Sequence, residues 1–263
     1  DVNAATTVDG DLTVSSTGLI TVLNTNILEL NGVLDNTGAI FGTISFGGAT
    51  SRYIKLGEVD NVEMNTTGTI ELSNDATIYK RLTLTSGTFN TGSFKLTLNS
   101  DASTTALIDD KGGLFVGTIS AERFVQNTTG HHFLSAPVYS PTVGQINDDI
   151  PLDLAAAPFP NIYYYDETDP SLDYEVGWVA PTSLSHTMNE GEGYTVYFNA
   201  FAGITLDIEG VPITGSLSRG LTYTAGSNPP NNATSPQGWN FVGNPYPSPI
   251  DFDLLMSGAS NSI

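Results

Sequence analysis

Short apolar-polar-apolar triplets recur through the first part of this chain and limit its fold more than any other feature. They begin at residues 12, 28, 44, 62, 82, 96 and 114, so neighbouring triplets start 14 to 20 residues apart. Leu28-Glu29-Leu30 is one of them. A coil of this length is too small to bury its own apolar side chains and has to stack on its neighbours. The repeat predicts a β-solenoid, similar to a parallel β-helix, over residues 1–118, with a β-sandwich of hairpins as the alternative.

Small residues between the triplets favour the solenoid. Thr17-Gly18, Thr37-Gly38 and Thr67-Gly68 supply corners, because glycine adopts a positive φ without steric cost. The segment from Arg52 to Lys55 lies in a longer interval between triplets, and we expect it to be a loop that leaves the stack.

The pattern changes near residue 118. Short aromatic-rich segments bounded by Gly, Pro, Asn or Asp follow, which is typical of an antiparallel sandwich. These segments are His131 to Val138, Ile162 to Tyr165, Gly193 to Phe198, Ile204 to Ile208 and Trp239 to Val242. We therefore predict an all-β chain whose residues 119–263 form an antiparallel β-sandwich or jelly-roll-like domain. We expect this domain to be incomplete at its C-terminal end.

A distinctive phrase runs from Gly238 to Phe252. Alternation of Trp239 and Phe241 with polar and small residues predicts a strand with one aromatic face. The prolines at every second position after it would remove amide donors from one side of an extended segment, which predicts an edge strand with one blunted side. We interpret the phrase as a structural joint formed by Trp239, Asn244, Pro245, Pro247, Pro249 and Asp251, with Asp251 as the N-cap of a helical turn.

Composition limits the partners. Lys and Arg total 8 against 28 Asp and Glu, a formal net charge of -20, which repels nucleic acid and anionic membrane surfaces. Only 14% of the residues are charged, as in many extracellular β proteins, and there is no cysteine for disulfides or thiolate metal sites. No apolar run approaches the roughly 20 residues that span a bilayer. We expect neither a nucleic-acid partner nor direct membrane insertion.

The densest acidic run predicts a calcium site. Carboxylates that are close together on a loop suit Ca²⁺, which takes six to eight oxygen ligands. The candidate ligands are Asp166, Glu167, Asp169 and Asp173. The run lacks the glycine and the final glutamate of an EF-hand, so a solvated acidic loop is the alternative. Ca²⁺ is the one cofactor that the sequence suggests.

Aromatic residues of the second domain suggest a carbohydrate site. Aromatic faces pack against the C–H groups of sugars much as they pack against other apolar edges. The candidate ligand-binding residues are Trp178, Tyr194 and Trp239, and burial in the core of a sandwich is the alternative.

Catalytic chemistry has little support. His131 and His132 are adjacent, so in a strand they point to opposite faces and cannot both bind one metal. Some β-solenoids cleave acidic polysaccharides with bound Ca²⁺ and a basic residue, but no acidic cluster repeats beside Lys80 and Arg81. We expect no enzymatic activity and no catalytic residues.

Five segments together resemble a module of large secreted and cell-surface proteins of Bacteroidota. They are Val116 to Val125, His131 to Ile146, Tyr163 to Trp178, Gly191 to Phe198 and Gly238 to Phe252. The last matches a phrase of that module nearly letter for letter, with Phe252 where Trp is common. The resemblance covers roughly residues 85 to 258. Such modules usually stand upstream of a C-terminal sorting domain for type IX secretion, which implies export to the outer-membrane surface or the medium and brings no catalytic residues.

These observations predict a non-enzymatic structural or adhesive module of an exported bacterial surface or extracellular protein. We expect its partners to be other copies of itself or other surface proteins, with fibres assembled by strand complementation. A carbohydrate-binding module with glycan partners is the alternative, and a β-helix enzyme that degrades polysaccharides is a third reading.

Overall fold

The computed structural model describes residues 1–126, 129–155, 159–168, 177–199, 203–224 and 238–257. It is all-β, with 48% strand and 4% helix, as the sequence predicts. The helices are α1 (Gly144–Asn147) and α2 (Phe252–Ser257). The strands are β1 (Thr6–Val8), β2 (Leu12–Val14), β3 (Leu19–Thr21), β4 (Ile27–Leu30), β5 (Leu34–Asn36), β6 (Ala39–Phe46), β7 (Arg52–Ile54), β8 (Glu58–Leu72), β9 (Ala76–Asn90), β10 (Leu96–Leu98), β11 (Leu107–Asp110), β12 (Leu114–Val116), β13 (Ile119–Val125), β14 (Gly130–Leu134), β15 (Ile162–Tyr165), β16 (Trp178–Val179), β17 (Tyr194–Phe198) and β18 (Ile204–Gly210). Neither helix is long and apolar enough to cross a bilayer.

The chain forms two compact units. The first contains Asp1–Phe124, Glu209–Gly215 and Pro247–Pro249, and the second contains Val125–Ile208, Ser216–Tyr246 and Ile250–Ile263. The division falls within β13, and the predicted boundary at residue 118 immediately precedes that strand. The chain also returns twice to the first unit after leaving it.

The first unit is solenoid-like, with about six turns, so the β-solenoid prediction is confirmed. Its first ladder is parallel and joins β1, β4, β6, β8, β9 and β11. Leu28 pairs with Ile44, Ile44 with Val62, and Val62 with Leu82, which are spacings of 16, 18 and 20 residues. These are the spacings of the central triplets in the sequence.

Two further parallel ladders form the other faces of the solenoid. One joins β2 to β5 and continues through β7, β8, β9 and β12, with Phe89 opposite Phe115. The other joins β3, β6, β8, β9, β10 and β13, with Ile40 opposite Val59. The triplets that begin at residues 12, 96 and 114 are strands, but they lie on these two faces. Every face produces the same apolar-polar-apolar signature because strand side chains alternate.

Apolar columns fill the interior of the first unit. Leu30, Phe46, Met64 and Leu84 occupy equivalent positions in successive coils and are fully buried. The loop predicted around Arg52 does not form, because β7 pairs with β8 inside the stack.

The second unit contains a four-stranded antiparallel sheet in the order β14-β17-β15-β16. Its inner face packs Tyr194, Val196 and Phe198 against Ile162 and the α1 region. The antiparallel character predicted for this part of the chain is confirmed by the sheet. The predicted strand from Trp239 to Val242 is wrong as a regular element, because this segment makes one isolated bridge, between Val242 and Glu192.

Candidate functional site

An aromatic cluster lies on one face of the antiparallel sheet. Its members are Phe133, Tyr165, Trp178, Trp239 and Phe241. Tyr165 and Trp178 are opposite each other in the β15–β16 pair, and Phe133 comes from β14. Trp239 and Phe241 come from the irregular segment that follows Gly238.

Backbone hydrogen bonds fix that irregular segment beside the sheet. The amide of Gly193 donates to the carbonyl oxygen of Phe241 at 3.0 Å, and the amide of Gly243 donates to Gly191 at 3.0 Å. A β-carbon at Gly193 would lie 2.8 Å from the ring of Phe241, so only glycine lets the ring lie here. On the other side of the segment, the side-chain amide of Asn240 donates to the carbonyl oxygen of Thr222 at 2.9 Å. The Gly-Glu-Gly-Tyr and Gly-Trp-Asn phrases of the sequence are therefore direct neighbours.

The rings of the cluster largely cover one another. The ring centroids of Trp178 and Trp239 are 5.7 Å apart, and Tyr165 meets Trp239 at 4.4 Å with an interplanar angle of 83°. Trp239 and Phe241 are nearly parallel, with centroids 5.9 Å apart. Edge-to-face contacts of this kind are stabilising. The surface left to solvent is mainly that of Trp239, which is 42% exposed, and of Phe133, which is 73% exposed.

The structure brings Trp178 and Trp239 together but separates Tyr194 from them. Tyr194 is fully buried on the opposite, inner face of the sheet. Its hydroxyl donates to Oε2 of Glu192 at 2.6 Å. Burial is the main factor that raises the pKa of Tyr194 far above its usual value, and the neighbouring Glu192 raises it further. The tyrosine is therefore a neutral donor in the core and does not meet a ligand at the surface.

Glu192 was not singled out by the sequence, and it is the centre of a buried polar network. Its carboxylate also accepts from the side-chain amide of Asn189 at 3.0 Å and from the guanidinium of Arg219 at 3.2 Å. His186 stacks on Tyr164 with ring centroids 5.0 Å apart and approaches the Tyr194 hydroxyl. A carboxylate with three donors is well satisfied, which indicates a structural role. In the sequence, the only indication of this role was the position of Glu192 between two glycines, Gly191 and Gly193.

Two of the four predicted calcium ligands, Asp166 and Glu167, lie within the described residues. Both carboxylate oxygens of Glu167 accept from Thr224, from its amide at 2.7 Å and from its hydroxyl at 3.1 Å. Oδ1 of Asp166 accepts from the amide and hydroxyl of Thr168. Asp169 and Asp173 lie outside the described residues. Within the described ranges, no three His, Asp or Glu side chains are grouped as a metal site would require.

Several basic residues of the solenoid form ion pairs with carboxylates of the same unit. Lys80 lies 2.8 Å from Asp60, Arg81 lies 3.3 Å from Asp109, and Lys55 lies 3.2 Å from Asp35. Lys95 pairs with Glu209.

Arg52 is buried in the same unit and donates to the carbonyl oxygens of Leu30, Gly47 and Thr50. Burial lowers the pKa of its guanidinium. These arrangements join neighbouring coils of the unit.

The predicted joint residues have separate local roles. Oδ1 of Asn244 accepts from the amide of Tyr246 at 3.0 Å, which closes a turn around Pro245. The carbonyl oxygen of Pro247 accepts from the amide of Ile108 at 2.9 Å. Asp251 caps α2, as predicted, by accepting from the amides of Asp253 and Leu254. Pro249 is exposed, and no regular strand contains these residues, so the blunted edge strand predicted here does not form.

Comparison with known proteins gives one family. A family model described as "Domain of unknown function (DUF8693)" matches residues 50–263, from just before β7 through the second unit. No curated protein and no solved structure matches the chain. Since the matched residues make up most of its length, the chain belongs to the DUF8693 family.

Proposed function

We propose that the chain is a non-enzymatic structural module of an exported bacterial protein that acts at the cell surface or outside the cell. The continuous stack of the first unit carries this proposal. Leu28, Ile44, Val62 and Leu82 form one buried column through four successive coils, without a polar interruption. Each coil supports its neighbours by backbone pairing and by apolar contact, so the unit resists bending at any single coil.

The outer surface of the stack supports a structural role over a catalytic one. Cleavage of an acidic polysaccharide needs a free basic group near bound cations. Lys80 and Arg81 are held by Asp60 and Asp109 instead. The net charge of -20 further opposes the approach of a polyanionic substrate.

Export is supported by the sequence. The five phrases that resemble the Bacteroidota surface module lie mostly in the second unit, and two of them, around Gly191 and Gly238, are paired in space. A low charged fraction and the lack of cysteine fit an extracellular β protein that is stabilised by packing alone. We include in the proposal a β-sandwich for the second unit, with the β14-β17-β15-β16 sheet as one layer, and other surface proteins as partners.

Two measurements test the structural proposal. Antibodies against the chain should label intact cells of the source organism as strongly as lysed cells, while antibodies against a cytoplasmic protein label only the lysed ones. The purified chain should release no reducing ends from a panel of neutral and acidic polysaccharides. Labelling restricted to lysed cells, or product formation that disappears in Arg81→Ala, would contradict the proposal.

Carbohydrate binding is a second candidate, and the contact between Trp178 and Trp239 favours it. Trp239 and Phe133 each contact Phe241 and each keep an exposed portion, which offers apolar ring surface to the C–H face of a sugar. The acidic charge of the chain would restrict the ligand to a neutral glycan. The edge-to-face packing of the rings reduces the flat area that a sugar could cover.

A glycan array with the full chain tests this candidate. Trp239→Ala should abolish binding of neutral glycans, and Trp178→Ala should weaken it by removing the support of Trp239. Tyr53→Ala removes an exposed aromatic ring from β7 of the first unit and should leave binding unchanged. If the unmodified chain gives no signal on the array, the carbohydrate candidate is ruled out and only the structural role remains.

A further inference from the structure

The strand β14 (Gly130–Leu134) is an edge of the antiparallel sheet. Among the described strands, it pairs with β17 alone. Sheet edges expose backbone donors and acceptors that can pair with another chain. Native proteins usually protect such edges with charged residues or proline, and β14 has the sequence Gly-His-His-Phe-Leu, with no carboxylate, lysine or proline.

The register shows which backbone groups of β14 point outward. The amide of Tyr197 donates to the carbonyl oxygen of Asn161 at 2.7 Å, so the backbone groups of Tyr197 and of Thr195 face β15. Those of Tyr194, Val196 and Phe198 then face β14, because the direction alternates along a strand.

The partners of these three residues on β14 are Leu134, His132 and Gly130. The amides and carbonyls of His131 and Phe133 therefore point away from β17, toward the open edge.

These outward groups are self-complementary. If two copies of β14 meet antiparallel about a two-fold axis at His132, His131 of each copy lies opposite Phe133 of the other. The outward amide and carbonyl of each residue then find their partners in a hydrogen-bonded pair, and the two His132 residues form the closer, non-hydrogen-bonded pair. A shift of the register by one residue would leave these groups without partners or turn the side chains to the wrong face.

The side chains on the outer face fit the same arrangement. His131 and Phe133 point to the face that carries the aromatic cluster, where His131 contacts Tyr197 and Phe133 contacts Phe241. Phe133 is 73% exposed, so a cross-strand ring against it would bury apolar surface that is now in water. Two chains of net charge -20 repel each other, and a strand without carboxylates is where that repulsion is weakest.

We propose that β14 is a homodimerisation edge, at which two copies of the chain join their four-stranded sheets into one continuous antiparallel sheet through the His131–Phe133 pairs. Such an interface is isologous and closes at two copies, so it does not by itself build a fibre. It is compatible with the structural role, and it would bury the Phe133 ring that the carbohydrate candidate leaves open to a sugar.

A cysteine scan tests the register directly, because the chain contains no cysteine. A cysteine in place of His132 would meet its own symmetry mate across the non-hydrogen-bonded pair, where the β-carbons are close enough for a disulfide. Under mild oxidation His132→Cys should give a covalent dimer several-fold faster than Tyr223→Cys, whose site is exposed but distant in sequence from β14. Equal rates for the two variants would overturn the proposal.

Sedimentation equilibrium of the full chain over a range of concentrations supplies the second test. The unmodified chain should follow a monomer–dimer equilibrium. Phe133→Asp should weaken it at least tenfold by placing carboxylates at the interface, and His131→Pro should weaken it by deleting an outward amide without touching the β17 ladder. Tyr223→Asp should leave it unchanged. A monomer at every concentration, an assembly larger than two copies, or a dimer that persists in Phe133→Asp would each overturn the proposal.

Discussion

The amide of Ile108 donates a 2.9 Å hydrogen bond to the carbonyl oxygen of Pro247, at the last coil of the first ladder. Ile108 pairs with Leu82 through β11 and β9, and Pro247 lies beyond it. Because proline has no amide hydrogen, Pro247 can accept from the ladder but cannot continue it. Pro247 therefore helps to end a stack of coils, although the blunted edge strand predicted for this phrase does not form.

Substitution of Pro247 by alanine should destabilise the first unit. Pro247 is buried, so the change removes ring atoms from the interior and also increases the freedom of the unfolded chain. We expect a loss of about 1–2 kcal/mol in the free energy of unfolding, measured by urea denaturation followed by circular dichroism. Pro249→Ala is the matched control, because Pro249 is exposed, and should change stability by less than about 0.5 kcal/mol. Equal effects of the two substitutions would contradict a capping role.

Glycine at a corner of the solenoid should be required where the backbone is both strained and crowded. Gly42 has φ of 96°, and a β-carbon there would lie 2.3 Å from the carbonyl oxygen of Val22. Gly42→Ala should therefore cost more than about 2 kcal/mol of unfolding free energy. Gly10 has nothing within 4 Å of its β-carbon position, and Gly10→Ala should be within about 0.5 kcal/mol of the unmodified chain. Similar melting curves for the two variants would show that the corner relaxes.

The sequence predicted the solenoid because its signal is local and repeated. Leu28, Ile44, Val62 and Leu82 keep the ladder spacing, so the triplets report directly on the coil length. The assignment of triplets to faces could not be predicted, because each face repeats with the same period of two. Arg52 was misplaced for a related reason, since a charged residue that donates only to carbonyl oxygens looks like a loop residue in the sequence.

The candidate site was less predictable because its contacts are distant in sequence. Aromatic alternation correctly put Trp239 and Phe241 on one face, and their rings are parallel. It could not indicate that the segment would pair with Gly191 and Gly193 by isolated hydrogen bonds. Tyr194 and Trp178 look alike in the sequence, because both lie in aromatic-rich segments. Only the register of β17 shows that the side chain of Tyr194 points to the core.

Tyr194 should give the second unit an alkaline instability. The pKa of this tyrosine is raised in the folded state, so its contribution to stability is complete below the unfolded pKa of about 10 and is lost as the pH rises toward the folded value. Above about pH 10 the free energy of unfolding should fall by up to about 1.4 kcal/mol per pH unit from this group. Tyr194→Phe should lose this part of the slope while keeping the ring in the core.

Tryptophan fluorescence can follow this unfolding selectively, because both tryptophans of the chain, Trp178 and Trp239, belong to the second unit. Urea titrations at several pH values between 8 and 11.5 would compare the two proteins. Tyr163 and Tyr164, whose pKa values are also raised by burial, remain in both and set the background slope. Parallel pH profiles for the unmodified chain and Tyr194→Phe would contradict the prediction.

The contact between Trp178 and Trp239 should be visible in circular dichroism. Two indoles with centroids 5.7 Å apart and planes at 64° couple their transitions, so the spectrum should contain a pair of bands of opposite sign. Either Trp178→Phe or Trp239→Phe should remove both bands, because one indole has no partner. Phe241→Leu keeps both indoles and should retain the pair. Loss of only half of the signal in each tryptophan variant would show that the indoles do not couple.

Chelation of calcium should leave the melting temperature of the second unit unchanged. A ligand that binds only the folded state raises stability in proportion to the logarithm of its concentration, so a resident Ca²⁺ would make melting depend on chelator. Both oxygens of Glu167 are already occupied by Thr224, and one oxygen of Asp166 by Thr168, which leaves few oxygens of these two side chains for a cation. Glu167→Gln should therefore lower the melting temperature by the same amount with calcium and with chelator, since the loss is that of its bonds to Thr224. A melting temperature that rises with calcium in the unmodified chain and not in Asp169→Asn would instead assign a metal to the acidic run.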